Sequence, residues 1–197
     1  MDGVLRLCGI EPRQHSPVLH ALATDNQAID ERLDRLGVRG RRIAVFCPLT
    51  RWPTKNWPLS EFVDLVKKLP EDFFVIFTGT ASEQALISEA LTRLAPTRAA
   101  SFAGCLSLSE YFALVSIAQL VVTGDSLPMH VASAYNRPLV ALFGPTDESR
   151  VAPRSEGSVV VRADTDCHRC YRRSYCPRSC IGRITVAQVA QAIDEVL

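Results

Sequence analysis

The stretch from Leu120 to Thr146 constrains the fold more than any other part of the sequence. It reads LVVTGDSLPMHVASAYNRPLVALFGPT, in which two apolar runs flank a segment that begins with Ser126 and contains Pro128. Serine favours the N-cap of a helix, and proline is tolerated in the first turn, where its missing N–H would have no partner. The stretch therefore predicts a strand, a turn, a helix and a second strand. Its helix would offer N–H groups at the carboxyl end of a buried strand, where open α/β sheets bind phosphate.

Similar units follow one another from residue 41 to the C-terminus. RIAVFC, FFVIF and SVVVRA are apolar runs without a two-residue period, which is typical of strands covered on both faces. Between such runs lie amphipathic segments of helical length, and we expect Ser60 to cap the helix EFVDLVKKL. Strands that alternate with helices predict an α/β fold with a doubly wound parallel sheet.

The first 40 residues do not follow this pattern. They combine loop-like sequence with one amphipathic segment, AIDERLDRLGV, that ends at Gly37. We interpret residues 1–40 as a linker and helix that follow a missing N-terminal domain. Residues 41–197 then form one domain, which includes a cysteine-rich loop at 164–183 and a C-terminal helix at 185–197. A length of 197 residues suits one such core and is short for two α/β domains.

Bulk composition excludes some classes of function. The formal net charge of +1 gives no electrostatic basis for binding nucleic acid. No apolar run is long enough to cross a bilayer, and the first residues, MDGVLRLCGIEPRQ, lack the features of a signal peptide. We therefore expect a cytoplasmic protein, in which the seven cysteines are reduced thiols.

Three loops follow strands of the predicted sheet: Pro48 to Pro58, Thr78 to Glu83, and Gly124 to His130. Ligands in this architecture bind beyond the carboxyl ends of the strands, so these loops should share one crevice. Their candidate side chains suit a diphosphate and a ribose. They are Thr50, Arg51, Lys55, Thr80, Glu83, Ser126 and His130.

Each candidate also has a purely structural explanation. Arg51 and Lys55 could lie in a solvated loop beside two tryptophans, and Glu83 could be a helix-start carboxylate favoured by the helix dipole. Asp125 could be only a cap, and His130 could simply pack in a first turn. Their placement at one sheet edge is what favours a binding site.

Four cysteines crowd into CHRCYRRSYCPRSC, at Cys167, Cys170, Cys176 and Cys180. Their spacing is compatible with a structural zinc site, and reduced thiols packing a loop or disulfides are the alternatives. The arginines and tyrosines around them form a basic, aromatic surface. That surface could be a solvated loop or could contact anionic lipid or nucleic acid. We expect no metal at the binding site and no required cofactor.

Five motifs occur in the order and at the separations seen in lipopolysaccharide heptosyltransferases, and the chain resembles that family. They are KNWP, TGTASE, GCLSLSEYFALVSIAQLVV, GDSLPMHVASA and RPLVALFGPTD. The family has two Rossmann-like domains in the GT-B arrangement. The resemblance covers Arg41 to Leu197 and implies that this chain is the second, nucleotide-sugar-binding domain.

The resemblance also implies roles for individual residues. It assigns donor-phosphate contacts to Thr50 and Lys55, a nucleoside contact to Glu83, an apolar wall near the base to Leu106, and the motif around the diphosphate and sugar to Asp125, Ser126 and His130. One departure is Leu127, because the family usually has glycine there. Glycine lets the backbone approach the ligand closely, so a leucine could narrow the pocket.

The second departure is the absence of the family's first domain, which holds the acceptor and the carboxylate thought to act as general base. We therefore name no catalytic residue. The expected function is the donor half of an inverting glycosyltransferase of lipopolysaccharide core synthesis, inactive without an acceptor domain. It would bind an ADP-heptose-like nucleotide sugar and meet a lipid-linked or oligosaccharide acceptor through a missing domain or partner chain. Peripheral contact with the inner membrane and self-association are further expectations. The alternative is a non-catalytic remnant or interaction module with a thiol cluster.

Overall fold

The protein, seen in a computed structural model that describes Leu7, residues 19–167 and residues 169–197, is built around six parallel strands. The strands are β1 (Arg42–Cys47), β2 (Phe73–Phe77), β3 (Ala99–Ser101), β4 (Leu120–Gly124), β5 (Leu139–Phe143) and β6 (Ser158–Arg162). Their order across the sheet is β3-β2-β1-β4-β5-β6. The predicted doubly wound parallel sheet is confirmed.

Helices connect the strands and cover both faces of the sheet. They are α1 (Ala23–Arg35), α2 (Leu59–Val66), α3 (Gln84–Leu91), α4 (Leu108–Ile117), α5 (Leu127–Ala134), α6 (Glu148–Val151) and α7 (Val186–Val196). Three short 3-10 turns lie at Pro53–Lys55, Ala81–Glu83 and Cys180–Arg183.

Two apolar cores lie on the two faces of the sheet because successive strand side chains point to opposite sides. In β1, Ala44 and Phe46 face the core that includes residues of α2, α3 and α7. Ile43 and Val45 face the core that includes residues of α1, α4 and α5. Burial on both faces explains why the central strands are continuously apolar in sequence.

The helix predicted before residue 41 packs against the rest of the fold. Ile29 and Leu33 of α1 are buried in the same core as α4, and Arg32 forms a 3.1 Å ion pair with Glu110 of α4. Most of the predicted linker lies outside the described residues. The domain division at residue 41 stays a prediction, and α1 belongs to the packed helical layer.

The predicted cap of α2 is wrong. The helix begins at Leu59, and Pro58 takes the N-cap position, where its carbonyl accepts the N–H groups of Glu61 and Phe62 at 3.0 and 3.3 Å. Ser60 therefore lies inside the first turn and caps nothing. Proline has no N–H to lose and a fixed φ, which suits it to a helix start.

The strand order reverses between β1 and β4. The chain runs outward from β1 to β2 and β3 and then returns to place β4 on the other side of β1. The chain leaves β1 toward α2 on one face of the sheet and leaves β4 toward α5 on the other face, so the loops after β1 and β4 border the predicted crevice at the carboxyl edge. Such a switch point is the usual ligand site of an open α/β sheet.

Candidate functional site

A buried ion pair lies at the switch point. Lys55, at the end of the 3-10 turn after β1, donates from Nζ to Oδ2 of Asp125 at 2.7 Å and to the backbone oxygen of Asp125 at 3.1 Å. The side chains of Lys55 and Asp125 are 14% and 9% exposed. Two residues that the sequence places 70 positions apart are thus joined at the strand ends.

The loop after β1 is shaped to bring Lys55 to this position. The side-chain oxygen of Asn56 accepts the N–H of Thr50 at 2.8 Å, which closes the loop on itself. A Cβ added to Gly124 would lie 2.9 Å from the carbonyl oxygen of Lys55 and 3.5 Å from the methyl group of Thr50. Only glycine therefore allows the end of β4 to approach this loop so closely.

Trp52 lies between two cations. Nζ of Lys55 is 4.3 Å from the centroid of the indole ring, and the guanidinium of Arg173 is 4.7 Å from it. Cation–π contact of this kind restricts the lysine side chain as well as attracting it. The ring therefore helps to hold Lys55 at the crevice.

Helix α5 begins beside the ion pair with Ser126 at its N-cap, as predicted. The predicted use of its side chain is wrong, because no side-chain oxygen caps this helix among the described residues. The hydroxyl of Ser126 instead lies 3.5 Å from the carbonyl of Gly124, and the N–H of Met129 bonds to the backbone oxygen of Ser126. Pro128 has no N–H, and the N–H of Leu127 has no partner among the described residues, so an anion can accept the Leu127 N–H.

The nucleoside side of the predicted site lies at the ends of β2 and β3. Oε2 of Glu83 accepts the N–H of Thr80 at 2.7 Å, which is the helix-start role that the sequence offered as its alternative. Gly104 packs against Ala81, since a Cβ added at Gly104 would lie 2.8 Å from the Cα of Ala81. This packing brings the loop that carries the half-buried Leu106 beside the Thr80 to Glu83 turn.

A hydrogen-bonded group joins the ends of β1 and β2. The thiol of Cys47 lies 3.0 Å from the hydroxyl of Thr78 and 3.5 Å from that of Tyr111. Burial raises the pKa of Cys47 to about 11 and also raises the pKa of Tyr111. At neutral pH both groups are protonated, so Cys47 is a packing residue and not a nucleophile.

The remaining candidates, Arg51, Leu127 and His130, have exposed side chains. Arg51 is exposed, and its side chain has no hydrogen bond or ion pair within residues 19–167 and 169–197. Leu127 and His130 are exposed and line a surface groove with Phe112 and Val151. The Leu127 side chain therefore lies over this groove and is 51% exposed.

The cysteine-rich loop packs onto the loop after β1. The hydroxyl of Thr54 donates to the carbonyl of Arg172, and the N–H of Tyr171 donates to the carbonyl of Pro145 at 3.0 Å. Cys180 is buried near Gly144, where an added Cβ would lie 3.7 Å from its sulfur. No sequence signal indicates the Thr54 contact, because its partner Arg172 is 118 residues away.

Cysteines in the described part of the chain form no disulfide. All four cysteines of the cluster are free, and the pKa of Cys180 is raised, mainly by burial and further by the neighbouring thiols. Within the described residues, no group of three or more histidine, cysteine or acidic side chains is arranged to hold a metal ion. Zinc binding is not supported by this arrangement, and the expectation that the site needs no cofactor stays a prediction.

Comparison with known proteins places the chain in a family. A family model described as glycosyltransferase family 9 (heptosyltransferase) matches residues 6–179. The chain belongs to this family. Lipopolysaccharide heptosyltransferase 2 of Escherichia coli (strain K12) is 36% identical over 129 residues, which are 63% of this chain and 37% of that protein.

Two solved heptosyltransferases share the architecture. The structure of E. coli ADP-heptose lps heptosyltransferase II aligns with a TM-score of 0.75 and 26% identity over 91% of this chain and 53% of that one. E. coli heptosyltransferase WaaC, solved with ADP, aligns with a TM-score of 0.69 and 20% identity over 98% of this chain and 54% of that one. This family member thus has a Rossmann-like α/β fold and spans about half the length of the solved relatives. In the part of the chain that the structure describes, no helix is both long and apolar enough to cross a bilayer.

Proposed function

We propose that this heptosyltransferase family member binds an ADP-heptose-like nucleotide sugar and is the donor half of an inverting glycosyltransferase of lipopolysaccharide core synthesis. The observation that carries the proposal is the buried Lys55–Asp125 pair beside the open start of α5 at the strand switch point. The likeness to E. coli ADP-heptose lps heptosyltransferase II supports a nucleotide sugar of this kind as the ligand.

Lys55 can bind a phosphate without leaving Asp125. An ammonium group has three N–H donors, and two of them bond to Asp125. The third donor and the N–H of Leu127 at the start of α5 are available to phosphate oxygens. Fixed positive groups of this kind can stabilise a diphosphate leaving group in place of a bound metal.

Asp125 would otherwise repel the diphosphate. Its ion pair with Lys55 compensates its charge, and its second oxygen, Oδ1, has no hydrogen bond within the described residues. That oxygen can accept a hydroxyl of the donor sugar. On the nucleoside side, Oε1 of Glu83 can accept a ribose hydroxyl while Oε2 keeps the N–H of Thr80.

Transfer would proceed by a single displacement at the anomeric carbon. The acceptor hydroxyl forms the new bond to that carbon while the bond to the β-phosphate oxygen breaks, and the electron pair stays on the departing ADP. A base must take the proton of the acceptor hydroxyl. We assign that base to the acceptor half, supplied by another domain or chain, because transfer requires donor and acceptor to be held together.

The location and partners that we propose follow from the division between a donor half and an acceptor half. We propose that the chain works in the cytoplasm with peripheral contact to the inner membrane, where it meets a lipid-linked or oligosaccharide acceptor. We propose no nucleic-acid partner. Self-association is proposed through exposed apolar side chains such as Leu127 and Val151, which line one groove of about 420 Å³.

Calorimetric titration with ADP tests the donor assignment. We expect binding at one site per chain, competed by an ADP-sugar, and no transfer to acceptor by this chain alone. Absence of ADP binding at millimolar concentration would contradict the proposal and favour the non-catalytic module. Transfer by the isolated chain would contradict the assignment of the base to the acceptor half.

A further inference from the structure

The segment from Cys167 to Arg183, here called the basic segment, concentrates positive charge. It contains five of the 22 lysine and arginine residues of the chain and none of the 21 aspartate and glutamate residues. The other 180 residues therefore carry 17 basic side chains against 21 acidic ones. The near-neutral charge of the whole chain conceals a local cationic surface.

Three of the five arginines are available to a partner. Arg172, Arg178 and Arg183 are exposed, and none of their side chains has an ion pair or hydrogen bond within the described residues. Arg178 and Arg183 line one shallow cleft, which Asp166 also borders. By contrast, Arg169 bonds to Asp147 and Glu148 at 2.8 and 3.1 Å and anchors the segment.

Aromatic side chains accompany these cations. Tyr175 is 73% exposed and Tyr171 is 43% exposed, although tyrosine usually buries much of its ring. A ring with an apolar body and a polar hydroxyl suits the boundary between water and lipid, where tyrosine is enriched. Exposed arginine and tyrosine together therefore match the chemistry of an anionic bilayer surface.

The basic segment is fastened to the proposed donor site. Thr54 precedes Lys55 in the loop after β1 and donates to the carbonyl of Arg172. Arg173 lies over the ring of Trp52, which also contacts Lys55. A partner that binds the basic segment would consequently lie next to the proposed donor site. The arrangement suits an acceptor that is itself anchored in lipid.

We propose that the basic segment is a docking surface for a bilayer containing anionic phospholipids, with Arg172, Arg178 and Arg183 meeting headgroup phosphates and Tyr175 entering the interface. A bilayer fits better than a nucleic acid because a long polyanion would extend beyond the segment onto a surface with an acidic excess. The biological role of docking rests on the proposed function, since docking would bring the donor half to its acceptor. The test of docking does not require donor binding.

Vesicle co-sedimentation at low ionic strength tests the proposal. The chain should bind phosphatidylcholine vesicles that contain phosphatidylglycerol and not vesicles of phosphatidylcholine alone. The triple variant Arg172→Gln, Arg178→Gln, Arg183→Gln should bind these vesicles about 100-fold more weakly. This loss corresponds to the affinity that three basic residues typically contribute near an anionic membrane. Added salt should weaken the wild-type chain in the same direction.

A matched variant controls for net charge. Arg35→Gln, Arg39→Gln, Lys68→Gln removes three exposed cations near the amino edge of the sheet, where α1 and α2 lead into β1 and β2. It should keep vesicle binding. Tyr175→Ser should give a smaller, several-fold loss without any change in charge.

Several results would overturn the proposal. They are unchanged binding by the triple arginine variant, an equal loss in the control variant, no preference for phosphatidylglycerol, or binding of single-stranded RNA in place of vesicles. Calorimetry with ADP on the same variants separates the two proposals. Vesicle binding without ADP binding would overturn the donor assignment alone, and ADP binding without vesicle binding would overturn the docking surface alone.

Discussion

Two helices of this protein begin with serine at the carboxyl edge of the same sheet, and their starts differ. In α4, the hydroxyl of Ser107 accepts the N–H of Glu110 at 3.2 Å, and the carboxylate of Glu110 accepts the N–H of Ser107 at 2.8 Å. This reciprocal capping box satisfies two backbone donors. In α5, Ser126 occupies the same position and caps nothing among the described residues.

The third helical residue explains why α5 has no reciprocal capping box. Glu110 can return a bond to Ser107, whereas Met129 of α5 has no side-chain oxygen with which to do so. The open start lies beside the buried Lys55–Asp125 pair. A helix start that the protein leaves unsatisfied needs water or a ligand. The closed start therefore has a structural role, and the open start is the candidate for binding.

The largest expected effect is on the open start. Lys55→Ala should weaken ADP binding about 10- to 100-fold, or about 1.5–3 kcal/mol, since it removes a charge-assisted bond and leaves Asp125 unpaired. Calorimetry measures the change. Lys67→Ala is the matched control because Lys67 forms an exposed ion pair with Asp64 on α2. Unchanged affinity in the Lys55 variant would remove this lysine from the site.

Removal of the N-cap serine hydroxyl should lower the free energy of unfolding in α4 and not in α5. Ser107→Ala should lower the free energy of unfolding by about 1 kcal/mol, the usual cost of losing an N-cap side chain. Ser126→Ala should change it by less than about 0.5 kcal/mol, as expected where no cap is lost. Urea unfolding of the two variants compares the helices directly. Equal losses would show that the two starts do not differ.

A smaller effect concerns the pH dependence of the closed start. Hydrogen bonds from Ser107 and then from Arg32 hold the pKa of Glu110 below its ordinary value. Ionised Glu110 therefore stabilises the fold above the ordinary carboxyl pKa, and this contribution is lost as the pH falls through the lowered pKa. The free energy of unfolding of Glu110→Gln should fall less on acidification than that of the wild type. Parallel pH profiles would refute this role.

Most of the fold could be predicted from local sequence. The run RIAVFC is identical to β1, and the segment from Leu120 forms β4, α5 and β5 as expected, because strands buried on both faces are continuously apolar. Residue type favours Ser60 as the cap of α2, but Pro58, two residues earlier, takes the N-cap position. Residue type alone does not decide which of several neighbouring positions begins a helix.

The candidate site could be predicted only as a set of loops. Adjacent strands bring Thr50, Lys55 and the start of α5 to one edge, which topology implies. The bond between Lys55 and Asp125 and the stacking of Arg173 on Trp52 depend on side chains from distant segments. No periodicity or spacing encodes such pairs. The assignments of Thr50, Glu83 and Leu106 to the donor stay predictions.

The central claim is that a nucleoside diphosphate binds at the open start of α5. Protein-observed NMR during an ADP titration tests it most directly. We expect the largest amide shifts at Ser126 and Leu127 and at Lys55, with little change at Ser109 and Glu110 in the closed start of α4. Shifts centred on α4, or none at α5 at millimolar ADP, would contradict it.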